Sequence, residues 1–165
     1  MSQTKNITLV LDNLRSVFNT ASLFRTAECF GISEIVLCGT TPCPTDRFGR
    51  IRADFAKVSL GAEGVVPWKY FHDTEEAVSS LKNDGCYIIS LEQSDSSVIL
   101  HSQVSAPDRC ALVVGNEVDG VQKKILNVSE VVWEIEQFGE KESLNVCIAG
   151  SIALYHLRFI VGGLS

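Results

Sequence analysis

The chain has 165 residues, of which 45% are hydrophobic, so it is long and apolar enough to bury the core of one domain, and global disorder is excluded. Its formal net charge of -6 counts against nucleic-acid binding unless a local basic surface is present. The first residues, MSQTKNITLVLDNL, lack the apolar core of a signal peptide, and no apolar run reaches transmembrane length. We therefore expect a cytoplasmic protein without membrane contact.

The six cysteines include no Cys-x-x-Cys pair, and the three histidines do not cluster. A zinc site needs closely spaced cysteine and histidine ligands, so we expect no metal site. We interpret the cysteines as reduced thiols that serve as small apolar residues, which agrees with a cytoplasmic location.

Strand-like and helix-like stretches alternate along the chain. Near-continuous runs of Val, Ile and Leu predict buried strands at 7–11, 34–39, 65–71, 86–92, 111–117 and 131–136. Helical spacing and capping signals predict helices over 19–30, 51–61 and 73–85, a short helix after Gly120 and a last helix that begins near Ser143. This order is typical of an α/β domain with a mostly parallel sheet and helices on both faces, and Pro67 places the third strand at an edge.

Polar segments that follow the strands are candidate sites, because ligands of open α/β sheets bind beside the carboxyl ends of the strands. The first such segment is N-T-A-S-L-F-R, at 19–25. Asn19 is either a plain helix cap or a site residue, and Arg25 is either a solvated helix charge or a site residue. The segment by itself leaves both interpretations open.

The second segment is V-V-G-N-E-V-D-G-V, at 113–121, where a buried strand breaks at Gly115. Glycines here let the backbone approach a ligand closely, but the segment lacks the spacing of a dinucleotide-binding loop and the lysine of a P-loop. The third segment is E-S-L-N, at 142–145, before the last helix, whose free N–H groups suit acceptor atoms. A simple turn and simple capping explain these two segments as well.

In this order, the three segments resemble the three motifs of the SPOUT superfamily, specifically the SpoU/TrmH-type RNA ribose 2'-O-methyltransferases. The resembling patterns are Asn-x-(Gly/Ala/Ser)-x-x-x-Arg, Gly-Asn-Glu-x-x-Gly and Glu-Ser-Leu-Asn-Val, and the similarity covers almost the whole chain. The resemblance implies an α/β domain with a C-terminal trefoil knot, bound S-adenosylmethionine and a homodimer. It also implies methylation of a ribose 2'-hydroxyl in RNA.

Larger members of the family carry RNA-binding extensions, whereas we expect residues 1–165 to form one methyltransferase domain without such an extension. A domain of this kind would bind RNA with its dimer or with an accessory protein. We expect transfer RNA rather than ribosomal RNA as its substrate, because a compact dimer suits a small, structured target.

The resemblance assigns roles to residues that match the three motifs. It implies a catalytic group of Asn19, Arg25, Glu117, Ser143 and Asn145. It implies cofactor contacts by Leu91, Gly115, Asn116, Glu117, Gly120, Ile135, Ser143, Leu144 and Asn145. Where relatives often have Ile-Pro-Met, this chain has Ile135-Glu136-Gln137, which alters the rigidity of that loop.

Arg25 is a poor general base, because a guanidinium group keeps its proton in proteins. We expect Arg25 instead to grip a phosphate next to the reacting 2'-hydroxyl and to stabilise the developing oxyanion. Asn19 and Ser143 would order the sugar, the base and the Arg25 side chain. Glu117 would orient Arg25 either within one site or across the dimer interface.

RNA binding by an acidic protein requires a local basic surface. The candidate residues for this surface are Arg15, Arg25, Arg47, Arg50, Arg52 and Lys57. Four of them lie within 47–57, where a solvated helix and loop face is the alternative interpretation.

The last helix is apolar on all sides, with a stripe of small residues that includes Ala149 and Ala153. We expect one face to pack on the sheet and the other on a second subunit. Two other functions stay open: an RNA- or nucleotide-binding module that has lost catalysis, and a methyltransferase that acts on a substrate other than RNA.

Overall fold

The computed structural model describes residues 5–163. Seven of the strands in this range form one parallel sheet, and two short strands pair separately. The strands are β1 (Asn6–Asp12), β2 (Glu34–Cys38), β3 (Trp68–Phe71), β4 (Tyr87–Leu91), β5 (Val98–Ile99), β6 (Ser105–Ala106), β7 (Arg109–Gly115), β8 (Val131–Glu134) and β9 (Gly162–Gly163). Their order in the main sheet is β3-β2-β1-β7-β4-β8-β5, and every adjacent pair is parallel. The short β6 and β9 pair separately.

Helices cover both faces of this sheet. They are α1 (Val17–Cys29), α2 (Ala53–Ser59), α3 (Thr74–Asn83), α4 (Lys123–Val128) and α5 (Val146–Tyr155), which continues as a π-helical turn, His156–Ile160. One hydrophobic cluster joins α1, α2 and α5 to alternate strand residues such as Leu9 and Leu112. A second cluster joins α3 and α4 to the intervening residues, such as Val10 and Val113. Side chains alternate along each strand, so the two clusters lie on opposite faces.

The predicted α/β architecture with a mostly parallel sheet is therefore confirmed, and β3 lies at the predicted edge. The six predicted strands are present, whereas the two-residue strands β5, β6 and β9 are too short to leave a sequence pattern. The trefoil knot stays a prediction. Residues 1–4, part of the N-terminal segment that we found to lack a signal core, lie outside the described residues. Among residues 5–163, the helices fall short of the length and apolarity that a membrane span requires.

Two helix starts differ from the predictions. Ser16 is the N-cap of α1 and accepts a hydrogen bond from the Asn19 backbone, so Asn19 lies inside the helix and does not cap it. The last helix begins at Val146 with Asn145 as its N-cap, not near Ser143. Because Ser16 caps α1, the Asn19 side chain is available for other contacts. Because Asn145 caps α5, this side chain and not Ser143 holds the start of that helix, and both residues bear on the candidate site.

Helix α5 is buried on one side only within a single chain. Gly150 and Ala153 pack inward, and a Cβ at Gly150 would lie 3.0 Å from a methyl group of Leu23. Gly150 and Ala153 are thus part of the core of the single chain, which corrects the prediction for Ala153, whereas Ala149 is half-buried. The opposite side of α5 exposes Ile148 and Ile152.

The Asp12 carboxylate, at the carboxyl end of β1, is fully buried and joins three segments of the chain. It accepts hydrogen bonds from the Thr74 hydroxyl (2.6 Å), the Gln122 backbone N–H (2.9 Å) and the Gln122 side-chain amide (2.6 Å). Thr74 begins α3, and Gln122 ends the loop after β7. Asp12 therefore fixes that loop against the sheet.

We predict that Asp12→Ala lowers the free energy of unfolding by about 2–3 kcal/mol, because the buried Thr74 hydroxyl and the half-buried Gln122 donors lose their hydrogen-bond acceptor. Urea unfolding followed by circular dichroism measures the change. The control is Asp84→Ala, which removes an exposed carboxylate 4.0 Å from Arg109 and should cost at most about 1 kcal/mol. Equal losses in both variants would contradict the role of Asp12.

Candidate active site

A cavity of about 330 Å³ opens where β4, β7 and β8 end at one edge of the sheet. Three loops, at 92–97, 116–122 and 135–145, surround it together with the first turn of α5. Its wall contains all nine residues predicted to contact a cofactor: Leu91, Gly115, Asn116, Glu117, Gly120, Ile135, Ser143, Leu144 and Asn145. The structure thus brings the second and third motifs and the end of β4 to one place. The role of these residues stays a prediction.

The turn at 115–120 depends on its two glycines. Asn116 and Gly120 exchange two backbone hydrogen bonds, of 3.2 and 3.0 Å, and the Asn116 side chain accepts the Val118 N–H at 2.7 Å. A Cβ on Gly115 would collide with the backbone of Gly120. Gly120 itself has φ +69, in the left-handed region that favours glycine. The backbone of this tight turn therefore forms part of the cavity wall.

Glu92 is a lining residue that the sequence analysis missed. Its carboxylate accepts the backbone N–H of Val121 at 2.9 Å and that of Gln93 at 2.8 Å, so it holds the loop after β4 against the loop after β7. The signal for it was its place directly after Leu91, at the end of a predicted strand. The other lining residues outside the prediction are Gln93, Val114, Val118, Gln137, Val146 and Ala149.

Hydrogen bonds join one residue from each of the three motifs. The Asn19 side-chain amide donates to Glu117 at 2.9 Å, and the Asn145 amide donates to the Asn19 oxygen at 3.2 Å. The Asn145 oxygen accepts the Cys147 N–H at 2.9 Å and so caps α5. Asn19 is almost fully buried, so within this chain it links Glu117 to Asn145.

Glu117 is anchored by the start of α1. Besides Asn19, its carboxylate accepts the backbone N–H groups of Arg15 (3.2 Å) and Ser16 (3.3 Å). Partial burial is the largest single influence and raises the pKa of Glu117, but the hydrogen bonds from Asn19, Arg15 and Ser16 together outweigh it, so the pKa lies below its ordinary value. The carboxylate is therefore charged at neutral pH.

Arg25 lies elsewhere in the single chain. It lines a second, shallower groove of about 570 Å³ on the outer side of α1, beside Phe18, Ser22 and Lys57. Within residues 5–163 it forms no hydrogen bond or ion pair, and Glu117 contacts α1 and not Arg25. Of the two arrangements left open by the sequence, orientation of Arg25 by Glu117 within one site is absent from the described part of the single chain, and orientation across a dimer interface stays a prediction.

The six predicted RNA-binding residues divide into two sets. Three of them pair with acids, as Arg15–Asp119 (3.2 Å), Arg50–Asp46 (2.8 Å) and Arg52–Asp54 (2.8 Å). The other three form no ion pair in the part of the chain that the structure describes: Arg25, Arg47 and Lys57. Among these six candidates, the residues without an ion pair in the described part of the chain thus lie on α1, on α2 and on the loop before α2.

The altered segment 135–137 still forms part of the cavity wall. Ile135 and Gln137 line the cavity, and Glu136, the residue that replaces the proline of many relatives, does not. The substitution therefore leaves the wall on this side in place.

The chain matches the model of the SpoU rRNA Methylase family over residues 6–155. It is 29% identical over 150 residues to the 23S rRNA (guanosine-2'-O-)-methyltransferase RlmB of Neisseria meningitidis, a match that covers 91% of this chain and 57% of RlmB. The chain thus spans less than two thirds of that relative's length.

Two solved structures share the fold. An AdoMet-bound rRNA methyltransferase from Sinorhizobium meliloti superposes with a TM-score of 0.82 at 24% identity, over 96% of this chain and 58% of that one. A TrmH/SpoU tRNA modifying enzyme from A. aeolicus superposes with a TM-score of 0.79 at 24% identity, over 93% of this chain and 74% of that one. Because the family model matches residues 6–155, the chain belongs to the SpoU rRNA Methylase family.

Proposed function

We propose that this domain transfers the methyl group of S-adenosylmethionine to a ribose 2'-hydroxyl of RNA. The main support is the cavity at the ends of β4, β7 and β8, whose wall contains the nine residues that match the family's cofactor motifs. Membership of the SpoU family and the similarity to the 23S rRNA (guanosine-2'-O-)-methyltransferase of Neisseria meningitidis add to this support. S-adenosylmethionine would supply an electrophilic methyl group.

The lining residues suit a nucleoside with an amino-acid tail. The volume of about 330 Å³ lies within the range of small-molecule pockets, roughly 300–1,000 Å³. Leu91, Ile135, Leu144 and Ala149 provide apolar surface for a purine ring. The backbone of the turn at 115–120 offers polar groups to the rest of the molecule. These residues therefore fit the proposed cofactor.

A homodimer is the second part of the proposal. The outer side of α1 and α5 exposes Phe18, Ile148, Ile152, Tyr155 and Phe159. We call these five residues the apolar face. Contiguous exposed apolar surface of this kind marks an interaction site, and a second copy of the chain would cover it. Arg25 lines the groove beside this face, so in a dimer it would serve the second subunit's cavity rather than its own.

The proposed role of Arg25 follows from its chemistry. The guanidinium group keeps its proton, so it cannot remove one from the 2'-hydroxyl. It can bind a neighbouring RNA phosphate and stabilise negative charge on the reacting oxygen. Hydrogen bonds among Glu117, Asn19 and Asn145 stabilise the shape of the cavity. Ser143 lies in the cavity wall, where its hydroxyl would bind the sugar or the base of the RNA.

Three finer points are also proposals. Among RNAs we propose transfer RNA as the substrate, with an accessory protein as an additional source of RNA contacts. We propose a cytoplasmic location, which the six free cysteines support. The trefoil knot in the C-terminal part is proposed from family membership alone.

We predict that the purified protein binds S-adenosylmethionine in calorimetry and transfers tritiated methyl groups to separated tRNA. Gly115→Ala should abolish both, because its Cβ collides with the turn at Gly120. The control is Gly64→Ala, which meets open space. Nucleoside mass spectrometry should locate the methyl group on a ribose.

Three results would contradict the proposed function. Cofactor binding without transfer to any RNA fraction would indicate a non-catalytic module. Transfer that survives nuclease treatment of the substrate would indicate a target other than RNA. Transfer to ribosomal RNA alone would refute the choice of tRNA.

We predict that Arg25→Ala lowers transfer at least about 100-fold, because a charge-stabilising group is lost, while cofactor affinity stays unchanged. Mixing inactive Arg25→Ala and Gly115→Ala proteins under exchanging conditions should restore about a quarter of the activity, since half of the dimers are then mixed and each holds one complete site. No recovery, with mixed dimers verified, would mean that Arg25 serves its own subunit.

We predict that Ile152→Glu produces a folded monomer, because Ile152 is 41% exposed in the single chain and belongs to the apolar face. Sedimentation velocity measures the change. Val104→Glu, at an exposed residue outside that face, should leave the dimer intact. A charge at Ala153 would instead disturb the core, since Ala153 is fully buried. A wild-type protein that sediments as a monomer would contradict the dimer.

A further inference from the structure

The loop at 40–52, which we call the arginine loop, is held in one shape by its own hydrogen bonds. The Asp46 carboxylate accepts the backbone N–H groups of Phe48 (2.8 Å) and Arg50 (3.1 Å), and the Asp46 N–H donates to the Arg50 carbonyl at 2.8 Å. Farther out, the Arg52 N–H donates to the Pro44 carbonyl at 2.9 Å. The tip of the loop is therefore ordered before any ligand binds.

Phe48 stands at this tip and is 67% exposed. The Arg47 guanidinium carbon lies 4.7 Å from the centre of its ring, and that of Arg50 lies 5.2 Å away. Both guanidinium groups thus lie over the ring as cation–π partners. The ring and the guanidinium planes together form an exposed, positively charged surface.

The two arginines differ in how their charge is compensated. Arg50 is fixed by Asp46, to which its Nε donates at 2.9 Å and its Nη2 lies at 2.8 Å. Arg47 forms no ion pair within the described range, 5–163. The loop tip therefore keeps one uncompensated positive charge next to the ring, which suits an anion that accompanies a planar group.

The arginine loop also lies on the same edge of the sheet as the cavity. It follows β2, and β2 pairs with β1. Thr41 accepts the Leu14 backbone N–H at 3.0 Å, and Leu14 leads into Arg15 and Ser16, which bind Glu117. One continuous rim of hydrogen-bonded segments thus connects the loop to the wall of the cavity.

We propose that Phe48 is a stacking platform for an unpaired nucleobase of the substrate RNA, with Arg47 binding the phosphate beside that base. This inference rests on the proposed RNA substrate. Unpaired bases of single-stranded RNA stack on aromatic side chains and on guanidinium planes, and every base has a face that can do so. A platform of this kind holds a loop or bulge of the RNA while the reacting ribose lies at a cavity.

The test measures RNA binding and cofactor binding in the same proteins. Phe48→Leu keeps apolar volume and removes the ring, and it should weaken RNA binding about 5- to 100-fold, the usual effect of losing one stacked base. Cofactor affinity in calorimetry should not change, and Phe48→Trp should bind RNA like the wild type. The control is Val65→Ala, at an apolar residue that is also 67% exposed and lies outside the loop.

Two further measurements separate stacking from a structural role. RNA should quench the fluorescence of Phe48→Trp more than that of the wild type, whose Trp133 is buried and whose Trp68 is half-buried. Arg47→Gln should reduce the slope of log affinity against log salt by about one phosphate contact.

The outcomes distinguish the two proposals. If the wild type methylates RNA and Phe48→Leu binds that RNA equally well, the platform is refuted and the proposed function stands. If the wild type neither binds nor methylates RNA, the proposed function fails and the platform fails with it.

Discussion

The hydrogen-bonded chain Glu117–Asn19–Asn145 is the interaction on which the candidate site depends. It joins the loop after β7, helix α1 and the start of α5, which are far apart in the sequence. Two of its members have a second anchor: Glu117 accepts backbone N–H groups at the start of α1, and Asn145 caps α5. The cavity wall is therefore built from short, strongly oriented polar contacts and not from apolar packing alone.

Asn19 is almost fully buried and keeps hydrogen-bond partners for its side chain, whereas Glu117 and Asn145 are exposed in the single chain. Asp12 serves the same purpose one strand away, where it ties α3 and the end of the 116–122 loop to β1. Glu92 ties that loop to the end of β4. Three carboxylates thus accept backbone N–H groups at the carboxyl edge of the sheet. Some of the acids that contribute to the net charge of -6 are therefore engaged in hydrogen bonds within the chain. A protein with this net charge can still carry a local basic surface.

The candidate RNA-binding residues that form no ion pair in the described range and the apolar face both lie outside the cavity wall. Arg25 and Lys57 line the groove next to the apolar face, and Arg47 stands on the arginine loop. A second subunit that packs on the apolar face would place Arg25 of one chain at the cavity of the other. In each site of the proposed dimer, one chain would then bind the cofactor and the other chain would bind the RNA. The proposed dimer would account for the position of Arg25, which lies away from the cavity of its own chain.

The α/β architecture and nine of the cavity-lining residues could be predicted from the sequence, because apolar runs, turn glycines and the order of three motifs are local properties. The remaining features depend on how distant segments pack. Asn19 was open to interpretation as a helix cap or as a site residue, and it links Glu117 to Asn145 because Ser16, three residues earlier, caps α1 instead. The packing of α1 on the sheet turned Arg25 outward, and strand order brought Glu92 to the turn at 115–120. Such outcomes depend on which distant segments pair, and no local pattern encodes that choice.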